Sequence, residues 1–98
     1  MNRFMMRQAR ELEAKLAKAQ EELEQATVEA SAGGGAVKIV INGKQKVQSV
    51  KVSPEAVDPA DLSLLEDLVL TAVNEAIARS QELAQKKLSS ATGLKLPF

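Results

Sequence analysis

Apolar residues in the first quarter of the chain repeat with the period of a helix. Between Met5 and Ala26 they are separated alternately by four and three residues, without a break. The members of this heptad seam are Met5, Ala9, Leu12, Leu16, Ala19, Leu23 and Ala26. The pattern predicts a helix over about residues 2–26, roughly 37 Å long at about 1.5 Å per residue. A rod of this length exceeds what a small core requires, so we expect part of it to project or to pair.

Beyond Ala26 the apolar positions alternate with a period of two, which is typical of strands. The alternation predicts strands over about residues 27–32, 36–42 and 46–52. A run of three glycines, 33–35, separates the first two strands. Asn42 and Gly43 form a pair favoured in the centre of a type I′ turn, and so predict a hairpin between the second and third strands. These segments predict a three-stranded antiparallel sheet.

A second helix is predicted over about residues 62–90, where no residue breaks the pattern. Ser63 and Glu66 have the spacing of a capping box at its start. Its apolar residues cover more than one narrow stripe, so we expect burial against the sheet and also, most simply, against a second copy of the chain. Asn74 either fixes the register of that dimer or faces outward. Gly93 ends the helix, and residues 91–98 are expected to form a short apolar tail.

The composition of the 98-residue chain narrows the possible functions. It has no Cys and no His, which removes thiol nucleophiles, thiolate metal sites and the commonest general base. No apolar run approaches the length of a membrane span, and no signal peptide is recognisable at the N-terminus. We therefore expect one α+β domain over residues 1–98, cytoplasmic, without catalysis, cofactor, metal, membrane contact or small-molecule substrate.

The net charge is zero, but the charges are unevenly distributed. Three arginines near the N-terminus are spaced four and three residues apart and share one helical face. Positive charge is unfavourable at a helix N-terminus, so these side chains are better candidates for phosphate contact than for helix stabilisation. Bases late in the second helix are favoured by the dipole, and an ordinary solvated surface is the competing interpretation for both groups. The candidate DNA-binding residues are Arg3, Arg7, Arg10, Lys15, Lys18, Arg79, Lys86 and Lys87.

The mode of binding follows from the residues that the chain lacks. With two Phe and no Tyr or Trp, it has almost no surface on which bases can stack, which argues against single-stranded nucleic acid. Asn2, Arg7 and Gln8 can reach base edges, but no helix carries a concentrated set of groups for the major groove. We therefore expect contact with the duplex backbone and little sequence preference.

Several short motifs occur in an order that resembles one known family. They are Val28-Glu29, Gly33-Gly34-Gly35, Val37-x-Ile39-x-x-Asn42-Gly43, Val47-x-x-Val50-x-Val52-x-Pro54, Leu65-Glu66-Asp67-Leu68, Ala72-Val73-Asn74-x-Ala76 and Leu96-Pro97-Phe98. Together they resemble the YbaB/EbfC family of bacterial nucleoid-associated proteins. The resemblance implies an α-β-β-β-α protomer in a tweezer-like homodimer that binds double-stranded DNA in the nucleoid, organises it and modulates gene expression without catalysis. Ala30, Ser53 and a shortened glycine-rich tail depart from the family pattern.

An alternative function remains open from the sequence. The heptad helix and the apolar tail have the character of surfaces that bind a protein partner. In that case the chain is a non-enzymatic protein-interaction module, and its basic zones only keep it soluble.

Overall fold

The computed structural model describes residues 2–93. The chain forms helix α1 (Arg3–Gln25), strands β1 (Thr27–Ala32), β2 (Val37–Asn42) and β3 (Val47–Val52), a short 3-10 turn (Pro54–Ala56) and helix α2 (Leu62–Thr92). The predicted α-β-β-β-α order is confirmed. Helix α2 continues through residues 91 and 92, which the sequence had assigned to the tail, and residues 94–98 of that tail lie outside the described part of the chain.

Helix α1 begins at a side-chain cap. The Oδ1 atom of Asn2 accepts a 2.8 Å hydrogen bond from the backbone N–H of Met5, which satisfies one of the free donors of the first turn. The helix ends at Ala26, whose backbone is extended and leads directly into β1. Only the C-terminal half of the heptad seam is covered: Ala19 and Leu23 are buried, whereas the N-terminal half is exposed.

The sheet has the order β1-β2-β3, and both pairs are antiparallel. Helix α2 packs across one face of β1 and β2. Two alanines of α2 lie at this contact, and their small side chains allow a close approach between the helix and the sheet. The buried core consists of Ala30, Ala32, Val37, Ile39, Ile41, Ala72 and Ala76.

The turn between β2 and β3 differs from the predicted type I′ turn. Neither Asn42 nor Gly43 has a positive φ; the left-handed residue is Gln45, with a φ of 62°. The backbone N–H of Gln45 donates to the carbonyl oxygen of Asn42, and the N–H of Asn42 donates to that of Lys46. The loop is therefore one residue longer than predicted. The Asn-Gly pair was misleading because Gly43 is required by its proximity to α1 rather than by its backbone angle.

The predicted capping box at the start of α2 is also wrong. The N-terminal flanking residue of the helix is Asp61, and Ser63 lies within the first turn. The Ser63 hydroxyl donates a 2.8 Å hydrogen bond to Oδ1 of Asp61, so it engages a side chain instead of a free backbone N–H.

Candidate nucleic-acid interface

The N-terminal half of α1 projects from the body of the protein. Every residue from 2 to 15 is exposed, including the seam residues Met5 (52% exposed) and Leu12 (42%). The two helices run antiparallel, and the last turns of α2 lie beside Lys15 and Lys18. The sequence expectation that part of the first helix projects is therefore confirmed for the single chain.

Arg3, Arg7 and Arg10 line one shallow cleft on this projecting segment, together with Met6. At about 100° of rotation per residue, the arginines lie on the opposite side of the helix from the heptad seam. Within residues 2–93, none of the three has an acidic partner or a side-chain hydrogen bond. Their charge is therefore not neutralised by the described part of the chain.

Lys15 and Lys18 lie further along α1, at the cleft where the end of α2 meets it. Lys87 and Glu22 line the same cleft, and the Nζ atom of Lys87 is 2.8 Å from Oε2 of Glu22. The hydrogen bond and the positive charge of Lys87 lower the pKa of the Glu22 carboxyl below its ordinary value. One carboxylate is thus surrounded by three lysines, and the cleft carries a net positive charge.

The other two predicted bases of α2 are engaged within the chain. Nε of Arg79 is 2.9 Å from Oε1 of Glu75, and its Nη1 donates a 2.7 Å hydrogen bond to the carbonyl oxygen of Glu29 in β1. Nζ of Lys86 is 3.0 Å from Oε1 of Glu82. Within residues 2–93, the predicted bases of α1 therefore have no ion pair, whereas those of α2 each have one.

Asn2 was predicted to be able to reach base edges, but its side-chain oxygen is used to cap α1. Asn74 is exposed on the single chain, so it is not a buried polar residue within the protomer. Its predicted role in the register of a dimer stays a prediction.

An exposed apolar surface lies on β3. The sequence predicted a second apolar side on α2 but not this exposed strand. Val47, Val50 and Val52 are 46%, 54% and 40% exposed. They pair with buried residues of β2, so they share the helix-bearing face of the sheet, but α2 covers only β1 and β2. Arg79 hydrogen-bonds to β1, so its flank of α2 faces the β1 edge of the sheet. Leu70 and Ile77 lie on the other flank of the helix, which therefore faces β3. We call the surface formed by Val47, Val50, Val52, Leu70 and Ile77 the open apolar face.

Comparison with known proteins identifies the family. The sequence profile of the YbaB/EbfC DNA-binding family matches residues 1–95. The chain belongs to this family. This YbaB/EbfC chain is also similar to two relatives that are named nucleoid-associated proteins. The one from Moorella thermoacetica is 49% identical over 95% of the chain and 90% of its own length, and the one from Syntrophobacter fumaroxidans is 50% identical over 94% and 84%.

A crystal structure of an uncharacterised protein from Helicobacter pylori has the same fold as this YbaB/EbfC chain. The TM-score is 0.77, the sequence identity is 15%, and the match covers 92% of this chain and 95% of the other. The similarity extends to the α-β-β-β-α arrangement, which the sequence had predicted. Neither helix in the described range 2–93 of this YbaB/EbfC chain is long and apolar enough to cross a membrane.

Proposed function

We propose that this YbaB/EbfC chain binds double-stranded DNA as a homodimer with little sequence preference, and that it organises the nucleoid and modulates gene expression. The observation that carries the proposal is the unpaired arginine face of α1, formed by Arg3, Arg7 and Arg10. The relatives named nucleoid-associated proteins support the nucleoid as its site of action.

The arginine face has the chemistry needed to bind a phosphate backbone. Its three guanidinium groups extend along roughly 10 Å of the helix, and each can donate two parallel hydrogen bonds to phosphate oxygens. The segment is fully exposed and projects from the fold, so a duplex can approach it without displacing other elements. Phosphate contacts carry no direct sequence information, which supports low sequence preference.

The open apolar face supports the homodimer. Valine side chains on an edge strand and large apolar residues on the adjoining helix flank are costly to leave in water over a contiguous area. Both elements of the face present aliphatic side chains. Two copies of such a surface can pack against each other about a two-fold axis. In such a dimer each protomer contributes one projecting α1, which gives the assembly two arginine faces.

DNA binding is tested by fluorescence anisotropy with a labelled random-sequence duplex, titrated between about 50 and 200 mM salt. Each phosphate contact contributes about −0.9 to the slope of log affinity against log salt. Replacement of Arg3, Arg7 and Arg10 by Ala is expected to weaken binding and flatten the slope. The matched control, compared with the double variant Arg7→Ala and Arg10→Ala, replaces Arg79 and Lys86 by Ala, which removes the same charge from paired positions outside the Lys87 cleft. If both double variants lose the same affinity, the arginine face is not the interface.

The homodimer is tested by light scattering on the purified chain. Val50→Asp places a charge on the open apolar face and is expected to yield monomers. Ser49→Asp adds the same charge at the neighbouring residue of β3, on the opposite face of the sheet, and is expected to leave the dimer intact. A monomeric wild-type chain, or a Val50→Asp variant that remains dimeric, contradicts the proposed interface.

The exposed N-terminal half of the heptad seam favours one alternative, a protein-interaction module. Met5 and Leu12 offer a partner helix an apolar stripe on the side of α1 opposite the arginines. If this is the function, charge reversal at Arg7 and Arg10 leaves the cellular activity unchanged, whereas Leu12→Asp abolishes it. The apolar tail that the sequence analysis included in this alternative lies largely outside residues 2–93.

A further inference from the structure

Three elements meet at the hairpin between β2 and β3, and a buried amide lies at their junction. Asn42 is 3% exposed. Its Oδ1 atom accepts hydrogen bonds of 2.9 Å from the backbone N–H groups of Lys44 and Lys46, which hold the turn. Its Nδ2 atom donates a 3.2 Å hydrogen bond to the carbonyl oxygen of Glu24, in the last turn of α1. One side chain therefore both shapes the turn and attaches it to α1.

Gly43 brings the same turn into direct backbone contact with α1. Its N–H donates to the carbonyl oxygens of Leu23, at 2.9 Å, and Ala26, at 3.1 Å. A Cβ atom at this position would lie 2.5 Å from Cδ2 of Leu23 and 3.0 Å from its carbonyl oxygen. Leu23 is itself buried, so it has little room to move aside. The absence of a side chain at residue 43 thus sets how closely the hairpin approaches the end of α1.

Ser80 attaches the turn to α2. Its side chain is completely buried; the hydroxyl donates a 2.7 Å hydrogen bond to the carbonyl oxygen of Asn42 and accepts a 3.2 Å bond from the N–H of Gln45. Serine is a weaker helix former than alanine, which occupies the two preceding buried positions of this helix face, Ala72 and Ala76. The hydroxyl satisfies backbone groups of a turn in which Gln45 has the less favourable left-handed conformation.

We propose that Asn42, Gly43 and Ser80 are positioning residues for the DNA-binding helix: their junction fixes the angle between α1 and α2, and so the direction of the arginine face. This inference rests on the proposed function. Helix α1 is attached to the fold along its C-terminal half, where the hairpin contacts residues 23–26 and the last turns of α2 pack beside residues 15–22. Arg3 lies roughly 30 Å from Leu23 along the axis. Helix axes pack about 10 Å apart, so when α1 rotates about its contact with α2, a displacement at the junction is amplified about threefold at Arg3 and about twofold at Arg10.

The geometry is tested with two spin labels in one chain, which is convenient because the sequence has no Cys. Ala14→Cys on α1 and Thr71→Cys on α2 are both exposed sites. Labelled chains are diluted with unlabelled chains, so that distances within one protomer dominate the dipolar signal. Duplex affinity is measured separately on the same junction variants without labels.

Asn42→Asp is the most selective variant. It keeps an oxygen for the two turn N–H groups but replaces the donor to the Glu24 carbonyl by a second acceptor, so the side-chain attachment to α1 is lost while the backbone bonds of Gly43 remain. We expect a broader distance distribution and duplex binding weakened about threefold to tenfold, because a loosened helix must be ordered on binding. Gln81→Glu is the matched control, since this exposed amide on α2 makes no side-chain hydrogen bond within residues 2–93 and lies outside the junction.

Gly43→Ala is expected to shift the mean of the distribution rather than only its width. A shift of a few tenths of an ångström to about 1 Å at the junction becomes roughly 0.5 to 1.5 Å at the label on residue 14, which lies about 14 Å from Leu23 along α1. Ser80→Ala, which removes the attachment to α2 without adding bulk, is the second broadening variant if Asn42→Asp does not fold. Folding is checked by circular dichroism in each case.

The inference is overturned if folded Asn42→Asp or Ser80→Ala gives the distribution of the wild type. It is also overturned if the distribution broadens while duplex affinity equals that of the Gln81→Glu control. Failure of the proposed function is recognised differently: the wild-type chain then does not bind the duplex at about 50 mM salt, whatever the distances show.

Discussion

Lys87 and Glu22 form an ion pair of 2.8 Å that joins α2 to α1 at the cleft beside the projecting segment. Both side chains are partly exposed, at 37% and 42%. The pair places a carboxylate among Lys15, Lys18 and Lys87, where a phosphate would otherwise be attracted. Glu22 therefore stabilises the contact between the helices and reduces the positive charge available to DNA.

Glu22→Gln is expected to strengthen duplex binding. The substitution removes a negative charge from the cleft and releases Lys87, so the magnitude of the salt slope increases by about 0.9. Anisotropy titrations at several salt concentrations measure both quantities. Glu82→Gln is the control, because it releases Lys86 at a site away from α1. Equal strengthening by the two substitutions would show that the cleft has no special role.

The same ion pair predicts a pH dependence of stability. Lys87 lowers the pKa of Glu22 below its ordinary value of 4.5 in the folded chain. The contribution to the free energy of unfolding is therefore fully present above pH 4.5 and is lost as the pH falls through the lower, folded-state pKa. Urea unfolding of wild type and Glu22→Gln between about pH 3 and 7 is expected to show a difference at neutral pH that vanishes in acid. A constant difference would contradict this assignment.

Two leucines of the heptad seam provide a matched test of how α1 is anchored. Leu23 is 2% exposed and Leu12 is 42% exposed. We expect Leu23→Ala to reduce the free energy of unfolding by about 2 to 5 kcal/mol, because it leaves a cavity. Leu12→Ala is expected to change it by less than about 0.5 kcal/mol. Chemical denaturation measures both, and a large loss in Leu12→Ala would indicate that the projecting seam is covered in solution.

The cap at Asn2 predicts a local effect. Asn2→Ala removes the acceptor for the Met5 N–H and is expected to destabilise the first turn of α1 by about 1 kcal/mol. Amide hydrogen exchange is expected to accelerate in this turn and to remain unchanged near Ala19. Asn2→Asp retains the acceptor and should preserve protection. Faster exchange along the whole helix would mean that the cap stabilises more than the first turn.

The elements of this fold could be predicted because their signals are local. The period of apolar residues predicted both helices and all three strands. The wide apolar arc on α2 predicted a second apolar side, which is exposed on the single chain, and its burial in a dimer stays a prediction. The spacing of the three N-terminal arginines placed them on one face without reference to the rest of the chain. Each of these inferences depends on neighbours within a few turns or one strand.

The features that the sequence did not reveal depend on residues far apart in the chain. The paired state of Lys87 is decided by Glu22, and the need for glycine at residue 43 by Leu23. No feature of the sequence around Ser80 distinguishes it from a surface serine. Its role is evident only from its hydrogen bond to Asn42, which is 38 residues away in the chain. Such contacts require the angle between the helices, and periodicity carries no information on that angle.

The projecting α1 also has a hydrodynamic consequence. The Cα radius of gyration is 18.7 Å, against about 13 Å for a compact chain of about 100 residues, and the principal extents are 69 × 24 × 17 Å. A particle of this axial ratio diffuses more slowly than a sphere of equal mass. On a gel-filtration column calibrated with globular standards, a single chain therefore elutes at the position of a larger one. Mass must be read from scattered light or sedimentation equilibrium, because retention volume alone would report a dimer even for a monomer.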